Sequence, residues 1–321
     1  YVGSAVNLRR RVRSYFTAAE RRTTIARMVD TTAGVRVIET ATEIEARVRE
    51  LRLIAELSPP ANRRSKAPRR MPWIHLVSSP GPRLATTTVP SIDDALSVIG
   101  PFPSRSAAQE AIRAAESVLR LGARDGRGPT SVTRADSPVD GRIAMRALSG
   151  DADLVVRPVL ERVEGLAARE RYEEAGAWTA RLRSFLRGVH RAERARPLLV
   201  CPHLIAARRR ESGGWELVAV RWGRLAGSMT TPAGADPRPA VETLRATAQV
   251  VERPGRIGAG TSAEETLLLA DWVLDAGARL VEVGATGGSG DGADVAESDV
   301  CAALSWPIGA AARYRRVMDS S

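Results

Sequence analysis

The stretch Tyr1-Val2-Gly3-Ser4-Ala5-Val6-Asn7-Leu8-Arg9-Arg10-Arg11-Val12-Arg13-Ser14-Tyr15-Phe16 decides how the chain is interpreted. Its first residues predict the end of an apolar strand and a tight turn at Gly3. A helix is predicted next, because Leu8, Val12 and Phe16 recur at every fourth position and would form its buried face. Arginines crowd the other face of this helix. A tyrosine on a strand edge and a guanidinium one helical turn away suit the binding of a phosphodiester.

Three landmarks in the first 62 residues resemble the GIY-YIG nuclease domain, in the form found in UvrC. The opening stretch is similar to the second half of the GIY-YIG motif. A glutamate on a predicted helix, Glu50, follows in the family's order. Asn62 comes twelve residues later, behind the turn at Pro59-Pro60. The order and spacing of the three landmarks carry the resemblance, since Tyr-Val-Gly alone would carry none.

The resemblance implies catalytic roles for Tyr1, Arg11, Glu50 and Asn62. Arg11 would hold the scissile phosphate, and Tyr1 would orient the nucleophilic water or the phosphate. Glu50 would ligate the metal, and Asn62 would fix the site by hydrogen bonds. Mg²⁺ suits a site with a single carboxylate, because it keeps most of its waters and adds phosphate oxygens of the substrate. Taken alone, Glu50 would be interpreted as a surface residue paired with neighbouring arginines.

Two departures from the family weaken this interpretation. Ser4 stands where the family often has a lysine, and a hydroxyl cannot supply that positive charge. The family's first tyrosine, in Gly-Ile-Tyr, lies upstream of Tyr1 on a neighbouring strand. We therefore expect the chain to be part of a longer protein, and to lack one sheet strand and part of the site.

The charge of the chain is consistent with a polyanionic partner. The net charge is +11, and residues 1–70 contain 16 Lys and Arg against 7 Asp and Glu, a balance of +9. A basic surface concentrated in one region is typical of nucleic-acid binding. The arginines expected to contact the DNA backbone are Arg9, Arg10, Arg13, Arg63 and Arg64.

The pattern along the chain predicts an α+β protein of five segments. Within the first segment we expect a strand over 35–39 and a helix from the cap Thr42 to Leu57. The segments are a partial GIY-YIG domain without its first strand (1–70), a β-hairpin plus helix (71–121), a linker (122–150), a UVR-like helical hairpin (151–196) and a C-terminal α/β domain of unknown role (197–321).

Two further resemblances to UvrC concern partners and cofactors. The predicted hairpin over 151–196 resembles the UVR motif, through which UvrC meets UvrB, so it is either a docking site for a UvrB-like helicase or an ordinary packed hairpin. In much of the family a Leu-Arg-x-Cys cluster begins an iron–sulfur site. Here Leu119-Arg120-Leu121-Gly122 has no cysteine, and no iron–sulfur cluster is expected.

Cysteine content and hydropathy restrict the class of protein. The two cysteines, Cys201 and Cys301, lie far apart and predict neither a disulfide framework nor a metal site. No apolar run approaches the roughly 20 residues that span a bilayer. No signal peptide is recognised, so no membrane partner is expected and the cytoplasm is the default location.

The leading hypothesis is a Mg²⁺-dependent DNA endonuclease acting in nucleotide-excision-like repair. The segment order is also similar to bacterial fusions of a DEDD 3′–5′ exonuclease with a GIY-YIG unit. One alternative is a catalytically incomplete module that binds DNA or docks UvrB. Another is a regulatory or structural protein with a degenerate nuclease fold. Salt-dependent DNA binding without cleavage would favour the module, and no DNA binding at low salt would favour the degenerate fold.

Because the first tyrosine of the motif is not in the chain, we expect residues 1–321 to nick DNA weakly or not at all. A supercoiled-plasmid assay with Mg²⁺ checks this expectation. Robust nicking that Glu50→Ala abolishes would contradict it.

Overall fold

The computed structural model describes residues 1–17, 23–62, 71–120, 139–284 and 310–319. Helices and antiparallel strands both occur, which confirms the α+β class predicted from the sequence. Contacts divide the chain into two units, each with its own packing.

The secondary-structure elements are numbered in chain order. The strands are β1 (Trp73–Val77), β2 (Arg83–Thr87), β3 (His203–Arg209), β4 (Trp215–Arg221), β5 (Arg224–Thr230) and β6 (Ala278–Gly284). The helices are α1 (Leu8–Tyr15), α2 (Thr23–Asp30), α3 (Glu43–Leu57), α4 (Arg105–Leu119), α5 (Gly141–Ser149), α6 (Asp153–Ala167), α7 (Tyr172–Val200), α8 (Arg238–Thr247), α9 (Ala263–Val273) and α10 (Arg315–Asp319), with a 3₁₀ turn at Ala311–Tyr314 before the last.

The first unit joins Tyr1–Pro68 to Cys201–Arg253 and Glu264–Gly290. This division differs from the predicted one, in which residues 1–70 and residues 197–321 are separate domains. The reason is a set of polar contacts between α3 and the sheet, among them a pair of hydrogen bonds to Ser228. No local sequence pattern predicts such contacts, because the residues that make them are nearly two hundred positions apart.

Helix α3 has the bounds that its sequence predicts. Thr42 is its N-cap and accepts a hydrogen bond from the Glu45 N–H at 3.2 Å. The helix ends at Ser58, which adopts a left-handed conformation with φ 44° ahead of the two prolines. Its apolar face is buried, with Ile44, Val48 and Ile54 each less than 5% exposed. Glu50 lies off this face and is half-buried.

A four-stranded antiparallel sheet in the order β5-β4-β3-β6 forms the other part of this unit. Helix α8 covers one face of the sheet, where Val241 and Leu244 pack against Leu217 and Ala219. Gly227 lies within strand β5, and a proline-rich loop precedes helix α8, so neither element has a clear signal in the local sequence.

Two expectations for the N-terminal region are wrong. Residues 1–7 and 33–40 belong to no strand, because no neighbouring backbone pairs with them in the described part of the chain. Val35 and Val37 are accordingly 60% and 53% exposed. Phe16 is also not on a buried face. Helix α1 ends at Tyr15, and Phe16 at its C-cap is 63% exposed.

The second unit contains the β1–β2 hairpin and a helical core. Phe102, in the Gly-Pro-Phe-Pro segment, is 1% exposed and packs against α7 at Gly188. A Cβ at Gly188 would lie 2.2 Å from Phe102 Cζ, so the helix approaches this ring closely only because it has no side chain there. The core around the ring consists of Ile99, Ala111, Leu148, Val159, Leu182, Phe185, Leu186 and Val189.

Part of the predicted linker over 122–150 is ordered structure. Residues 121–138 lie outside the described ranges, but Val139 N–H donates to the Pro82 carbonyl at 3.0 Å. Asp140 then caps α5, where its side chain accepts from the N–H groups of Arg142 and Ile143. Three apolar residues of α5 are buried, so this part of the predicted linker is a packed helix.

Helices α6 and α7 form the pair predicted over 151–196, and α7 continues to Val200. Leu182, Phe185 and Leu186 are fully buried in the core of the unit rather than offered to a partner. Tyr172, at the start of α7, is 67% exposed. Trp178 is half-buried, with the Arg162 and Arg181 guanidinium carbons 4.0 Å and 4.6 Å from its ring centroid.

Residues 310–319 pack on α7, so this part of the predicted C-terminal domain belongs to the second unit. The buried Glu193 carboxylate accepts from Ala311 N–H at 3.2 Å, at the start of the short helical segment. Arg187 donates to the Met318 carbonyl at 2.7 Å, at its end. Charges of both signs therefore match the dipole of the segment. Within the ranges described above, every helix is too short or too polar to cross a lipid bilayer.

The contact between Gly188 and Phe102 predicts the effect of a single methyl group. Gly188→Ala should lower the free energy of unfolding by about 1–3 kcal/mol, because the added carbon overpacks a buried ring. Urea denaturation followed by circular dichroism measures the change.

Gly176 on the same helix is the matched control. An added Cβ there meets nothing within 4 Å, so Gly176→Ala should raise the free energy of unfolding by about 0.5–1 kcal/mol through helix propensity. Equal effects of the two substitutions would contradict the packing described for Phe102.

Candidate active site

The Asn62 side chain pairs with the backbone of Val2 in the way that a neighbouring strand would. Val2 N–H donates to Asn62 Oδ1 at 2.9 Å, and Asn62 Nδ2 donates to the Val2 carbonyl at 2.9 Å. This two-way pairing satisfies both backbone groups of one residue, as a sheet partner would. The turn after α3 delivers the side chain, since Asn62 N–H donates to the Pro59 carbonyl at 3.2 Å. Asn62 is 8% exposed, so the pair is shielded from water.

Glu50 is held two residues further along the same segment. Its Oε2 accepts from Ser4 N–H at 3.0 Å and from the Ser4 hydroxyl at 2.5 Å. Both contacts involve one carboxylate oxygen. Ser4, which takes the place of the family's lysine, therefore contacts the carboxylate directly and fixes where it points.

Tyr1, Tyr15 and Arg11 form a second cluster beside the first. The Tyr15 hydroxyl donates to the Tyr1 hydroxyl at 3.1 Å, and the two rings meet edge to face with centroids 5.6 Å apart. The Arg11 guanidinium carbon lies 5.4 Å from the centroid of the Tyr15 ring. All three side chains belong to one patch formed by the start of the chain and α1.

The electrostatics of this cluster favour a charged Arg11 and a neutral Tyr15. A hydrogen bond with Tyr1 raises the pKa of Arg11 further above its ordinary value. Burial, with the hydrogen bond to Tyr1, raises the pKa of Tyr15 to about 12. At neutral pH the cluster therefore presents a guanidinium and a Tyr15 phenol that retains its proton, and both groups are donors suited to a phosphate.

The four predicted catalytic residues thus converge in the structure. Asn62 binds Val2, the neighbour of Tyr1, and Glu50 binds Ser4 in the same segment. Arg11 is hydrogen-bonded to Tyr1 itself. Elements separated by dozens of residues therefore all contact the segment from Tyr1 to Ser4.

The sequence did not single out Tyr15, although it contacts two of the predicted residues. The available signal was its spacing: Tyr15 follows Arg11 by four residues, so both lie on the same face of α1. The contact of Ser4 with Glu50 was also not predicted, because the sequence shows only that Ser4 stands where the family often has a lysine.

The predicted DNA-binding arginines fall into two groups. Arg9, Arg10 and Arg13 are exposed on α1, whose N-cap Asn7 accepts from Arg10 N–H at 2.9 Å. Arg63 and Arg64 lie outside the described residues. The described arginines leave the exposed side of α1 strongly positive.

Glu50 is the carboxylate through which this site could hold a divalent metal. Glu50 is half-buried, and both contacts from Ser4 are made to Oε2. The described part of the chain contains no group of three or more His, Cys, Asp or Glu side chains arranged for a metal. Mg²⁺ can be bound through one or two carboxylates with water and substrate phosphate completing its shell.

The pairing between Asn62 and Val2 predicts a specific loss in Asn62→Asp. A carboxylate can accept from Val2 N–H but cannot donate to the Val2 carbonyl, so a shielded acceptor loses its partner. Hydrogen-exchange protection of the Val2 and Ser4 amides, followed by NMR, should fall by about an order of magnitude.

Asn7→Asp is the control, because it introduces the same charge into the N-terminal segment that Asn62 contacts. Aspartate is as good an N-cap as asparagine, so protection of Val2 should not change. Equal loss in both variants would mean that charge, and not the amide pairing, determines the protection.

Comparison with known proteins agrees with this geometry. Residues 1–63 match the model of the UvrC-like GIY-YIG domain. A protein of Mycobacterium tuberculosis, whose name describes a bifunctional exonuclease/endonuclease, is 34% identical over 97% of this chain and 50% of its own length. The UvrABC system protein C of Natronomonas pharaonis is 31% identical over 57% of this chain and 34% of that protein. The corresponding protein of Haloarcula marismortui is 29% identical over 54% and 33%.

The chain thus spans about half the length of the first of these relatives and about a third of the other two. No solved structure matches it. The family match begins at Tyr1 and ends one residue after Asn62, so it encloses all four converging side chains. The N-terminal 63 residues of this chain therefore belong to the UvrC-like GIY-YIG family of nuclease domains.

Proposed function

We propose that the patch formed by Tyr1, Arg11, Glu50 and Asn62 is a divalent-metal-dependent site for hydrolysis of DNA phosphodiester bonds. The observation that carries the proposal is the convergence of these four side chains through Val2, Ser4 and Tyr15. A nuclease family and relatives named as nucleases support the same class of reaction.

Each residue has a role that its contacts support. Arg11, charged and exposed, binds the scissile phosphate and offsets the negative charge that develops on it. Tyr1 orients the attacking water or the phosphate through its hydroxyl. Asn62 holds Tyr1 in place by fixing the backbone of the next residue.

Glu50 is the residue that would hold the metal, and Ser4 sets the orientation of its carboxylate. When bound, Mg²⁺ stabilises negative charge on the phosphoryl and leaving oxygens. The side chains around Glu50 bind and orient the phosphate whether or not a metal is present. Arg9, Arg10, Arg13, Arg63 and Arg64 are proposed to contact the DNA backbone without reading its sequence.

The biological setting belongs to the same proposal. Relatives named as components of the UvrABC system support action in nucleotide-excision-like DNA repair. The relative from Mycobacterium tuberculosis, named as an exonuclease/endonuclease, supports a parent protein that combines an exonuclease with this endonuclease unit. We propose that this exonuclease is a 3′–5′ enzyme of the DEDD type. A cytoplasmic location follows from the proposed substrate, chromosomal DNA.

A second candidate function is a catalytically incomplete module that binds DNA or docks a UvrB-like helicase. Ser4 favours it, because the positive charge of the family's lysine is missing. Docking through 151–196 would have to use the exposed start of α7 around Tyr172, since the apolar residues further along α7 are buried in their own unit. DNA binding that never leads to cleavage would support this module.

The DNA-binding part of the proposal is tested by fluorescence anisotropy with a labelled duplex. Arg10→Ala should weaken binding about equally for unrelated sequences and reduce the salt slope by about one. Arg142→Ala, an equally charged change at an exposed position of α5, should leave binding unchanged. Equal effects of both variants, or binding that does not respond to salt, would contradict a DNA surface on α1.

The catalytic part is tested on a product of the longer reading frame, if the codons before Tyr1 continue into a Gly-Ile-Tyr strand. That product should nick plasmid DNA with Mg²⁺, and Glu50→Gln should abolish nicking without weakening DNA binding. Binding without nicking in this longer product would favour the non-catalytic module instead.

A further inference from the structure

A partly buried ion pair fixes helix α3 to the C-terminal sheet of the first unit. Arg52 Nε donates to Glu265 Oε2 at 3.1 Å, and Arg52 Nη2 donates to Glu265 Oε1 at 2.7 Å. The same Nη2 donates to the Leu225 carbonyl at 2.9 Å, and Leu225 N–H donates back to Glu265 Oε1 at 2.9 Å. Helix α3, helix α9 and strand β5 therefore meet in one closed set of hydrogen bonds.

Because the Glu265 carboxylate is buried, the hydrogen bonds to it restrict the orientation of Arg52. The Glu265 side chain is 2% exposed, and the Arg52 side chain is 36% exposed. A buried carboxylate is tolerated where charged and backbone donors surround it, and a two-pronged guanidinium contact fixes the angle as well as the distance. Arg52 thus constrains the rotation of α3 about its own axis.

A second contact fixes the start of the same helix. The Thr42 hydroxyl donates to Ser228 Oγ at 3.0 Å, and the Ser228 hydroxyl donates to Glu45 Oε2 at 2.9 Å. Ser228 lies on β5, as does Leu225. Strand β5 therefore holds α3 at two points along its length.

Apolar packing leaves part of the contact between α3 and the sheet unfilled. A cavity of about 360 Å³ lies there, lined by Val48, Arg52, Leu225 and Leu244 among others. Because side chains do not fill this space, the polar contacts have a larger share in setting how the helix is rotated.

The geometry of a helix connects this contact to the proposed active site. Glu50 precedes Arg52 by two residues, which places the two side chains about 200° apart around the helix axis. Arg52 faces the sheet, and Glu50 faces the Tyr1–Asn7 segment, where Ser4 holds it. A rotation of α3 that breaks the contact with Glu265 would therefore move the Glu50 carboxylate on the opposite side.

We propose that Glu265, with strand β5, is a positioning platform for Glu50, so that residues 201–284 are a required part of the nuclease site. Glu265 touches neither substrate nor metal and acts through Arg52 and the orientation of α3. The inference rests on the proposed function only for its metal readout, because the coupling to α3 can be measured without metal or DNA.

The test uses the whole chain, with Mn²⁺ as the probe and electron paramagnetic resonance as the readout. Glu265→Gln should weaken Mn²⁺ binding by about tenfold, as the loss of supporting contacts around a metal site does. It should also speed amide hydrogen exchange in α3. Glu242→Gln, the same change at an exposed position of α8, should alter neither quantity.

A double-substitution cycle separates positioning from a general loss of stability. In a Glu50→Gln background, Glu265→Gln should cause no further loss of Mn²⁺ binding if it acts through Glu50. If Glu265→Gln does not fold, Arg52→Lys keeps the charge, loses the two-pronged contact and should give a smaller loss of the same kind. The double variant Arg52→Gln/Glu265→Gln, which removes both charges together, should recover the fold but not the full Mn²⁺ affinity.

The outcomes separate the two proposals. Suppose that Glu50→Gln does not affect Mn²⁺ binding, but Glu265→Gln still speeds amide exchange in α3. The proposed metal binding by Glu50 is then wrong, and the proposed positioning of α3 by Glu265 is supported. If Glu50→Gln removes the Mn²⁺ site while Glu265→Gln and Arg52→Lys leave both affinity and exchange unchanged, the platform is wrong and the metal role stands.

Discussion

The segment from Tyr1 to Asn7 has no strand beside it in the described structure, and this constraint shapes the rest of the site. Its backbone groups must find partners elsewhere, and they find two side chains. Asn62 pairs with both polar groups of Val2, and Glu50 accepts from Ser4. Both partners come from α3 and the turn that ends it. The candidate active site therefore exists only where that helix meets the start of the chain.

Helix α3 consequently makes polar contacts on two sides. On one side it presents Glu50 to the N-terminal segment, and on the other it presents Arg52 to a buried carboxylate of the C-terminal sheet. The apolar face between them, with Ile44, Val48 and Ile54, supplies burial but little directional information. In this arrangement the hydrophobic effect keeps the helix in place, and the charged hydrogen bonds determine its rotation. The sheet, to which the sequence assigned no role, belongs to the same compact unit as α3.

The parts of the fold that sequence could predict are those encoded locally. The bounds of α3 follow from a capping threonine at one end and two prolines at the other, and both signals lie within the helix's own neighbourhood. The strand expected over 35–39 failed because alternation shows only that a segment can pair, not that a partner exists. The contact between Arg52 and Glu265 spans 213 positions and leaves no trace in either local sequence. Phe16 was misjudged for a related reason, since the periodicity of α1 continued one residue beyond the helix.

The candidate site was predictable to the extent that it matches a motif, and no further. Tyr1, Arg11, Glu50 and Asn62 were identified by order and spacing, and the structure brings them together. The contacts of Tyr15 with Tyr1 and Arg11, and the direct contact of Ser4 with Glu50, are evident only in the structure. The most direct measurement is a crystal structure of the chain grown with Mn²⁺ and a short DNA duplex, using anomalous scattering to locate the metal. The account predicts a Mn²⁺ ion on the Glu50 carboxylate, with a DNA phosphate hydrogen-bonded to Arg11. A metal bound elsewhere, or a phosphate backbone that avoids Arg11, would contradict it.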